Sequence, residues 1–231
     1  MASYFLSSNW PKQVRILEQN IDIQKVIEKF SFLLTEQRLK KIERVVSQRS
    51  NSLIPVLENI YDRGNISAVM RSAEAFGFYD FHIIDSVSQF KESARVTQGA
   101  DKWLNVKKWN QTELALQKFK DKGVKVYTTA LTDTALKIED LDFSQPIALV
   151  LGNEKDGVSQ AALNMSDGNV LIPMVGFTQS FNISVAAALC FQEARKKAIV
   201  IDDLEAQALK ASYILKSLQL SPERMLDVLN T

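Results

Sequence analysis

Three short stretches hold polar side chains at spacings that suit a bound ligand. In "NISAVMRSAEAFG" Asn65 and Arg71 stand six positions apart on a helical pattern that also carries Ser67 and Glu74. In "GNEKDGVS" Gly152 and Glu154 follow directly on the apolar run "IALVL". In "IPMVGFTQSFNISVAAAL" Ser180 and Asn182 come just before an apolar helix. Such groups can hold a polar or anionic ligand: amides and hydroxyls at a helix start sit beside free N–H donors, and a guanidinium clamps phosphates or carboxylates. Each has a plainer account too. Asn65 and Asn182 serve equally as helix caps, and Arg71 as the ion-pair partner of Glu74 three residues on.

Several chemistries are disfavoured by what surrounds these groups. Gly152 and Gly157 stand five apart like the glycines of a phosphate loop, but Val158 occupies the place of the lysine such a loop needs, and Glu154 would repel a polyphosphate. No Gly-x-Gly-x-x-Gly occurs, so the usual dinucleotide fingerprint is missing. His82 is the single histidine, which leaves no paired-histidine metal site; it reads as a half-buried structural residue in a strand. The acidic "EDLD" at 139–142 reads as a solvated turn rather than a Mg²⁺ site, and no metal is expected. "DKWLNVKKW" sets Trp103 and Trp109 among Lys102, Lys107 and Lys108, a pattern that fits base stacking or a strand with one buried face.

The elements that must position these groups are legible in outline. "LIPVLENI", "DFHIID", "NVKKW", "VKVYTTA", "IALVLG" and "NVLIPM" read as strands, alternating with helical segments that begin near Ile66, Gln111 and Ser159. This alternation predicts an α/β fold with a mostly parallel sheet flanked by helices, whose ligands gather beyond the carboxyl ends of the strands. Asn65 is placed to cap the first of these helices and Gly77 to end it, which leaves Ser67, Arg71 and Glu74 facing outward. The helix after Asn182 is apolar nearly all round as far as Phe191, which predicts burial on a second side, supplied by a subunit interface.

Three regions follow. Residues 1–52 read as a helical N-terminal extension with a basic arm, where Thr35 caps a segment carrying Arg38, Lys40, Lys41 and Arg44. Residues 53–200 form the main domain, and residues 201–231 read as C-terminal helices, the last capped by Ser221 with Pro222 in its first turn. The 231 residues suffice for one sizeable core, and 28 basic against 27 acidic side chains leave a charge of +1, so a nucleic-acid site must be a local patch. The single cysteine, Cys190, falls in an apolar helix and reads as a buried, inert thiol. With no apolar run of membrane-spanning length and no secretory pattern in "MASYFLSSNWPKQVRILEQN", a cytoplasmic protein is expected.

Taken together and in order, "NISAVMRSAEAFG", "LVLGNEKDGVS" and "IPMVGFTQSFNISVAAAL" resemble the three motifs of the SpoU/TrmH family of RNA ribose 2′-O-methyltransferases, within the SPOUT class. "TEQRLKKIERVVSQRS", "QGADKW", "VYTTAL" and "LSPERMLDVL" look like the TrmH subgroup, so the likeness runs from about residue 35 to 231; Phe181 stands where the subgroup usually has Leu. The resemblance implies a deep C-terminal trefoil knot, a homodimer, S-adenosylmethionine as cofactor, and tRNA as partner, methylated on the D-loop guanosine numbered 18. It implies catalytic roles for Arg71, Asn65, Glu154, Ser180 and Asn182, with Arg71 activating the hydroxyl and the others holding it and shaping the pocket; a guanidinium keeps its proton, so Arg71 is expected to act mainly as a charge clamp. It implies cofactor contacts from Thr129, Leu131, Gly152, Ile172, Met174 and Phe181, with Gly152 allowing a close backbone approach, and RNA contacts from Arg38, Lys40, Lys41, Arg44 and Arg71. Two alternatives stay open at this point: a ribosomal RNA methyltransferase of the same family, and a nonenzymatic RNA-binding assembly factor.

Overall fold

The computed structural model describes residues 11–86, 99–132 and 134–230. The first ten residues and Gln98 of "QGADKW" lie outside them. The chain divides into two compact units, one of residues 50–199 and one drawn from both ends, up to Arg49 and from Val200.

The terminal unit begins with β1 (Gln13–Ile16) and β2 (Gln19–Asp22), an antiparallel pair in register from Gln13 opposite Asp22 to Ile16 opposite Gln19. Residues 1–52 were expected to form a helical extension with a basic arm; residues 13–22 instead pair as this hairpin. Its turn carries Leu17 at φ 51 in place of glycine or asparagine, so the usual turn signal is missing. α1 (Ile23–Phe30) is capped by Asp22, which accepts from Gln24 N at 2.8 Å. α2 (Glu36–Val46) is capped by Thr35, as the sequence predicts. Both pack on α7 (Asp203–Ser217), and Lys210 on that helix meets Glu43 at 2.7 Å. α8 (Pro222–Asn230) starts where Ser221 Oγ accepts from Arg224 N at 3.4 Å. Segments read separately at the two ends therefore pack as one body.

The unit of residues 50–199 is built on seven parallel strands. They are β3 (Leu53–Glu58), β4 (Asp80–Ile84), β5 (Asn105–Trp109), β6 (Lys125–Thr129), β7 (Leu136–Lys137), β8 (Ile147–Leu151) and β9 (Gly168–Leu171), arranged in the order 5-4-3-8-6-9-7. Every residue of β3 and β8 is buried because helices cover both faces, which is why residues 53–57 and 147–151 read as unbroken apolar runs. On one face α3 (Arg63–Phe76) and α6 (Ile183–Lys197) pack against each other over Leu57, Phe81 and Leu151. On the other, α4 (Thr112–Lys120) and α5 (Gln160–Met165) cover Ile54, Val56 and Val150. The two-residue β7 was not anticipated, being too short to carry a period.

Three local expectations change. α3 begins earlier than predicted, with Asp62 as its cap accepting from Gly64 N at 2.7 Å, so Asn65 sits in the first turn and its amide is released for other use. Ser67, expected outward, is buried. His82, expected half-buried, is only 2 % exposed: Trp109 Nε1 donates to its Nδ1 at 2.9 Å, and the two rings stack with centroids 5.8 Å apart. Burial pushes the imidazole below its usual pKa, outweighing the opposite pull of Asp80. Burial also works against the Asp80 carboxylate, but His82 and Lys107 outweigh it and hold the group at about 2. "DKWLNVKKW" thus spends Trp109 and Lys107 on packing and pairing, which is the strand reading of that stretch.

Candidate functional site

Because the sheet is parallel, the carboxyl ends of β6, β8 and β9 open on one edge, and a cavity of about 690 Å³ lies there. That size is within the range of roughly 300–1,000 Å³ usual for small-molecule sites. Thr129, Leu131, Gly152, Ile172, Met174 and Phe181 all line it. Glu154, Ser180 and Asn182 line it as well, and Ser180 makes no hydrogen bond among the described residues. Cys190 sits at its base, where burial pushes the thiol up to about 12, so it remains protonated and unreactive.

The loop after β8 is closed on itself. Asn153 and Gly157 exchange both backbone hydrogen bonds, each at 3.1 Å, and Gly157 takes φ +69 to let the chain turn. The Asn153 side chain accepts from the backbone of Lys155 at 2.9 Å and of Asp156 at 2.6 Å. A Cβ on Gly152 would lie 2.1 Å from the Gly157 carbonyl carbon, so the close approach this glycine permits is to its own loop. The backbone donors of Asn153, Lys155, Asp156 and Gly157 are already used within the turn, and the loop presents Glu154 instead.

Glu154 is met by the first motif stretch and, through it, by the third. Asn65 Nδ2 donates to Glu154 Oε1 at 2.5 Å, and Asn182 Nδ2 donates to Asn65 Oδ1 at 3.2 Å. Asn182 is also the cap of α6; its Oδ1 accepts from Ser184 N at 2.8 Å and Ser184 Oγ at 2.6 Å, which fixes which end of its amide faces Asn65. Every donor in the chain from Ser184 to Asn182 to Asn65 thus points toward the carboxylate. Three segments separated by 89 and 117 positions converge here. Ser184 was not singled out in the sequence; a serine two places after a capping asparagine is the signal that marks it.

Arg71 is not part of this network. Six residues along an α-helix carry it about 9 Å up the axis and roughly 240° round from Asn65. It is exposed and lines a different cavity of about 650 Å³, with Ser72, Glu74, Phe76 and Trp103. No ion pair joins it to Glu74. Arg38, Lys40, Lys41 and Arg44 are exposed on α2, and Lys40 pairs with Glu36 at 2.6 Å. Among the described residues no cluster able to hold a metal ion occurs, and no helix is long and apolar enough to cross a membrane.

Known proteins share both the sequence and this architecture. The SpoU rRNA Methylase family model matches residues 52–192, the stretch that holds the sheet and all three converging segments. A tRNA (guanosine(18)-2′-O)-methyltransferase of Borreliella burgdorferi is 34 % identical over 197 residues, covering 84 % of this chain and 90 % of its own. The enzyme of that name from Thermus thermophilus is 35 % identical over 163 residues, 71 % of this chain and 84 % of its own. The crystal structure of the Aquifex aeolicus TrmH/SpoU tRNA modifying enzyme superposes with a TM-score of 0.71 at 27 % identity, covering 80 % of this chain and 98 % of that one. The SpoU methyltransferase AviRb from Streptomyces viridochromogenes, solved with its cofactor AdoMet, superposes with a TM-score of 0.59 at 25 % identity, over 64 % of this chain and 58 % of that one. With a family match over most of the main domain and relatives a third identical across most of its length, the chain belongs to the SpoU methylase family.

Proposed function

We propose that this protein transfers a methyl group from S-adenosylmethionine to a ribose 2′-hydroxyl of tRNA, at guanosine 18 of the D-loop. The observation that carries the reading is the convergence of Asn65, Glu154 and Asn182 at the rim of the 690 Å³ cavity. The cofactor fits the lining: Leu131, Ile172, Met174 and Phe181 offer apolar surface, while Thr129 and Ser180 bring hydroxyls. When bound, S-adenosylmethionine supplies an electrophilic methyl on a sulfonium, and the rest falls to this chain. Asn65 and Asn182 hold the Glu154 carboxylate at the rim through one oxygen. The second oxygen, which has no partner among the described residues, accepts the proton of the incoming 2′-hydroxyl. Arg71 lies off this network and acts as a clamp on an RNA phosphate, a role suited to its planar fork and permanent charge. The exposed cations of α2 dock the tRNA backbone, so binding weakens steeply with salt.

A homodimer and the deep knot of the SPOUT class belong to the same reading. Val175 and Phe177 are fully exposed and Val185 on α6 is 46 % exposed, an apolar surface suited to a second copy. The test is incubation with labelled S-adenosylmethionine and an unmodified tRNA transcript, followed by nuclease mapping. The expected product is 2′-O-methylguanosine in the D-loop. Methylation elsewhere in the tRNA would keep the chemistry and reject the site. Transfer to purified ribosomal RNA alone would favour the substrate that the family's description names, and absence of cofactor binding would favour a nonenzymatic RNA-binding role.

A further inference from the structure

The last residue of β3, Glu58, is 1 % exposed and carries a carboxylate with no cation beside it among the described residues. Burying such a group is costly unless strong hydrogen bonds meet it. Three do: Thr112 Oγ1 donates to Oε1 at 2.5 Å, Ser159 Oγ donates to Oε1 at 2.7 Å, and Ser159 N donates to Oε2 at 2.8 Å. Two of the three come from one residue, and that residue ends the loop that presents Glu154. Ser159 also caps α5, its Oγ accepting from Ala162 N at 3.1 Å, so a shift of Ser159 would disturb the helix start as well.

Glu58 stands at the root of both partners in the Asn65 to Glu154 contact. It lies seven residues before Asn65 on the segment running from β3 into α3, and its partner Ser159 lies five residues after Glu154. The two segments are therefore joined twice, at the tips by Asn65 and Glu154 and at the base by Glu58 and Ser159. Joining at the tips alone would leave the loop free to pivot about β8. Joining at the base as well fixes where the Glu154 carboxylate sits.

We infer that Glu58 is a positioning residue for the reaction: through Ser159 it sets the loop 152–159, and through that loop the place of Glu154. This rests on the role proposed above for Glu154, and the test separates the two. Glu58→Gln turns one acceptor oxygen into an amide that cannot accept from Ser159. Hydrogen exchange read by mass spectrometry on the full-length protein reports the loop without any reference to activity. The expected result is faster exchange in the peptide spanning 152–159, with the β3 and β8 peptides unchanged, together with a fall in kcat of about 10- to 100-fold. In a Glu154→Ala background the same substitution should lower kcat less than about twofold further, because both then act on one element.

Unchanged exchange in the loop of a folded Glu58→Gln protein overturns the inference. So does exchange raised evenly across the whole unit, which marks a merely structural group, or a full multiplicative loss in the Glu154→Ala background. If Glu58→Gln does not fold, Ser159→Ala replaces it: this keeps the carboxylate bonded by Thr112 and by the Ser159 backbone while removing one tie to the loop, and because it also removes the α5 cap, exchange is compared in residues 152–158 and not in the first turn of α5. The same results are expected and the same results overturn it. Faster loop exchange with unaltered kcat would leave the anchor standing as structure but reject its part in the reaction.

Discussion

Residues 152–159 and residues 173–181 flank one cavity and are built in opposite ways. The first flank closes its own backbone between Asn153 and Gly157, caps its turn with the Asn153 side chain and ties its far end to buried Glu58. The second makes no hydrogen bond to the rest of the chain among the described residues, and it leaves Val175 and Phe177 fully exposed. A flank that satisfies its own donors has met its ordering cost during folding and presents its carboxylate ready placed. A flank that does not leaves apolar surface whose burial must come from a ligand or a second copy. The contrast supports the proposed chemistry on the first and the proposed association on the second.

The largest effect should come from Glu154→Ala. Turnover at saturating RNA is expected to fall by about 10²–10⁴-fold, while calorimetry finds cofactor binding within a few-fold of the parent; near-parental turnover would break the assignment of chemistry to the braced flank. Gly152→Ala comes next. Its Cβ would lie 2.1 Å from the Gly157 carbonyl carbon, so the hairpin must open, and chemical denaturation should read a loss of about 1–3 kcal/mol.

Phe177→Asp probes the other flank. Sedimentation should find the dimer weakened by at least about tenfold, or about 1.4 kcal/mol, with monomer folding untouched. A monomeric parent protein would remove the proposed partner for that surface. Acid titration probes the β4–β5 edge of the sheet, away from the cavity. Burial lowers the folded pKa of His82 below 6.5, so as pH drops the unfolded chain takes up a proton before the folded one does, and stability present above that value is lost. Asp80, at about 2 in the fold against 3.8 ordinarily, removes more as pH falls through that interval. The denaturation midpoint should therefore fall steadily on acidification, and a His82→Asn protein should lose the upper part of that dependence. The smallest effect is expected for Gly176→Ala. Nothing lies within 4 Å of the added Cβ, so stability should stay within about 0.5 kcal/mol, against the larger loss at Gly152.

The elements that carry the two flanks were largely legible in the sequence. Strands β3 and β8 were read from their apolar runs, because strands buried on both faces are apolar nearly throughout, and β4, β5, β6 and β9 from short β-rich runs alternating with helical segments. Thr35, Asn182 and Gly77 were read as helix boundaries from local capping chemistry, and Ser159 as a helix start from the alternation of elements; all four stand there. The hairpin at 13–22 escaped because its turn uses Leu17 in a conformation that side chains rarely adopt. Asn65 was placed one turn wrong, since Asp62 supplies an equally good cap three residues earlier. Arg71 was grouped with Glu154 by the resemblance, and helical geometry sends it to another cavity of the same chain.

The sequence by itself determined the order of strands and helices along the main domain and the polar residues available to a ligand. Those follow from periodicity and capping, which act over a few residues. Tertiary structure alone decided that Asn65, Glu154 and Asn182 meet, that Glu58 and Ser159 brace them from below, and that the two ends of the chain pack together. These contacts span tens to more than a hundred positions, and their formation depends on which strand edges pair in the sheet. No local pattern carries that information, because the hydrogen-bonding capacity of an asparagine or a buried glutamate is the same whatever partner the fold brings to it.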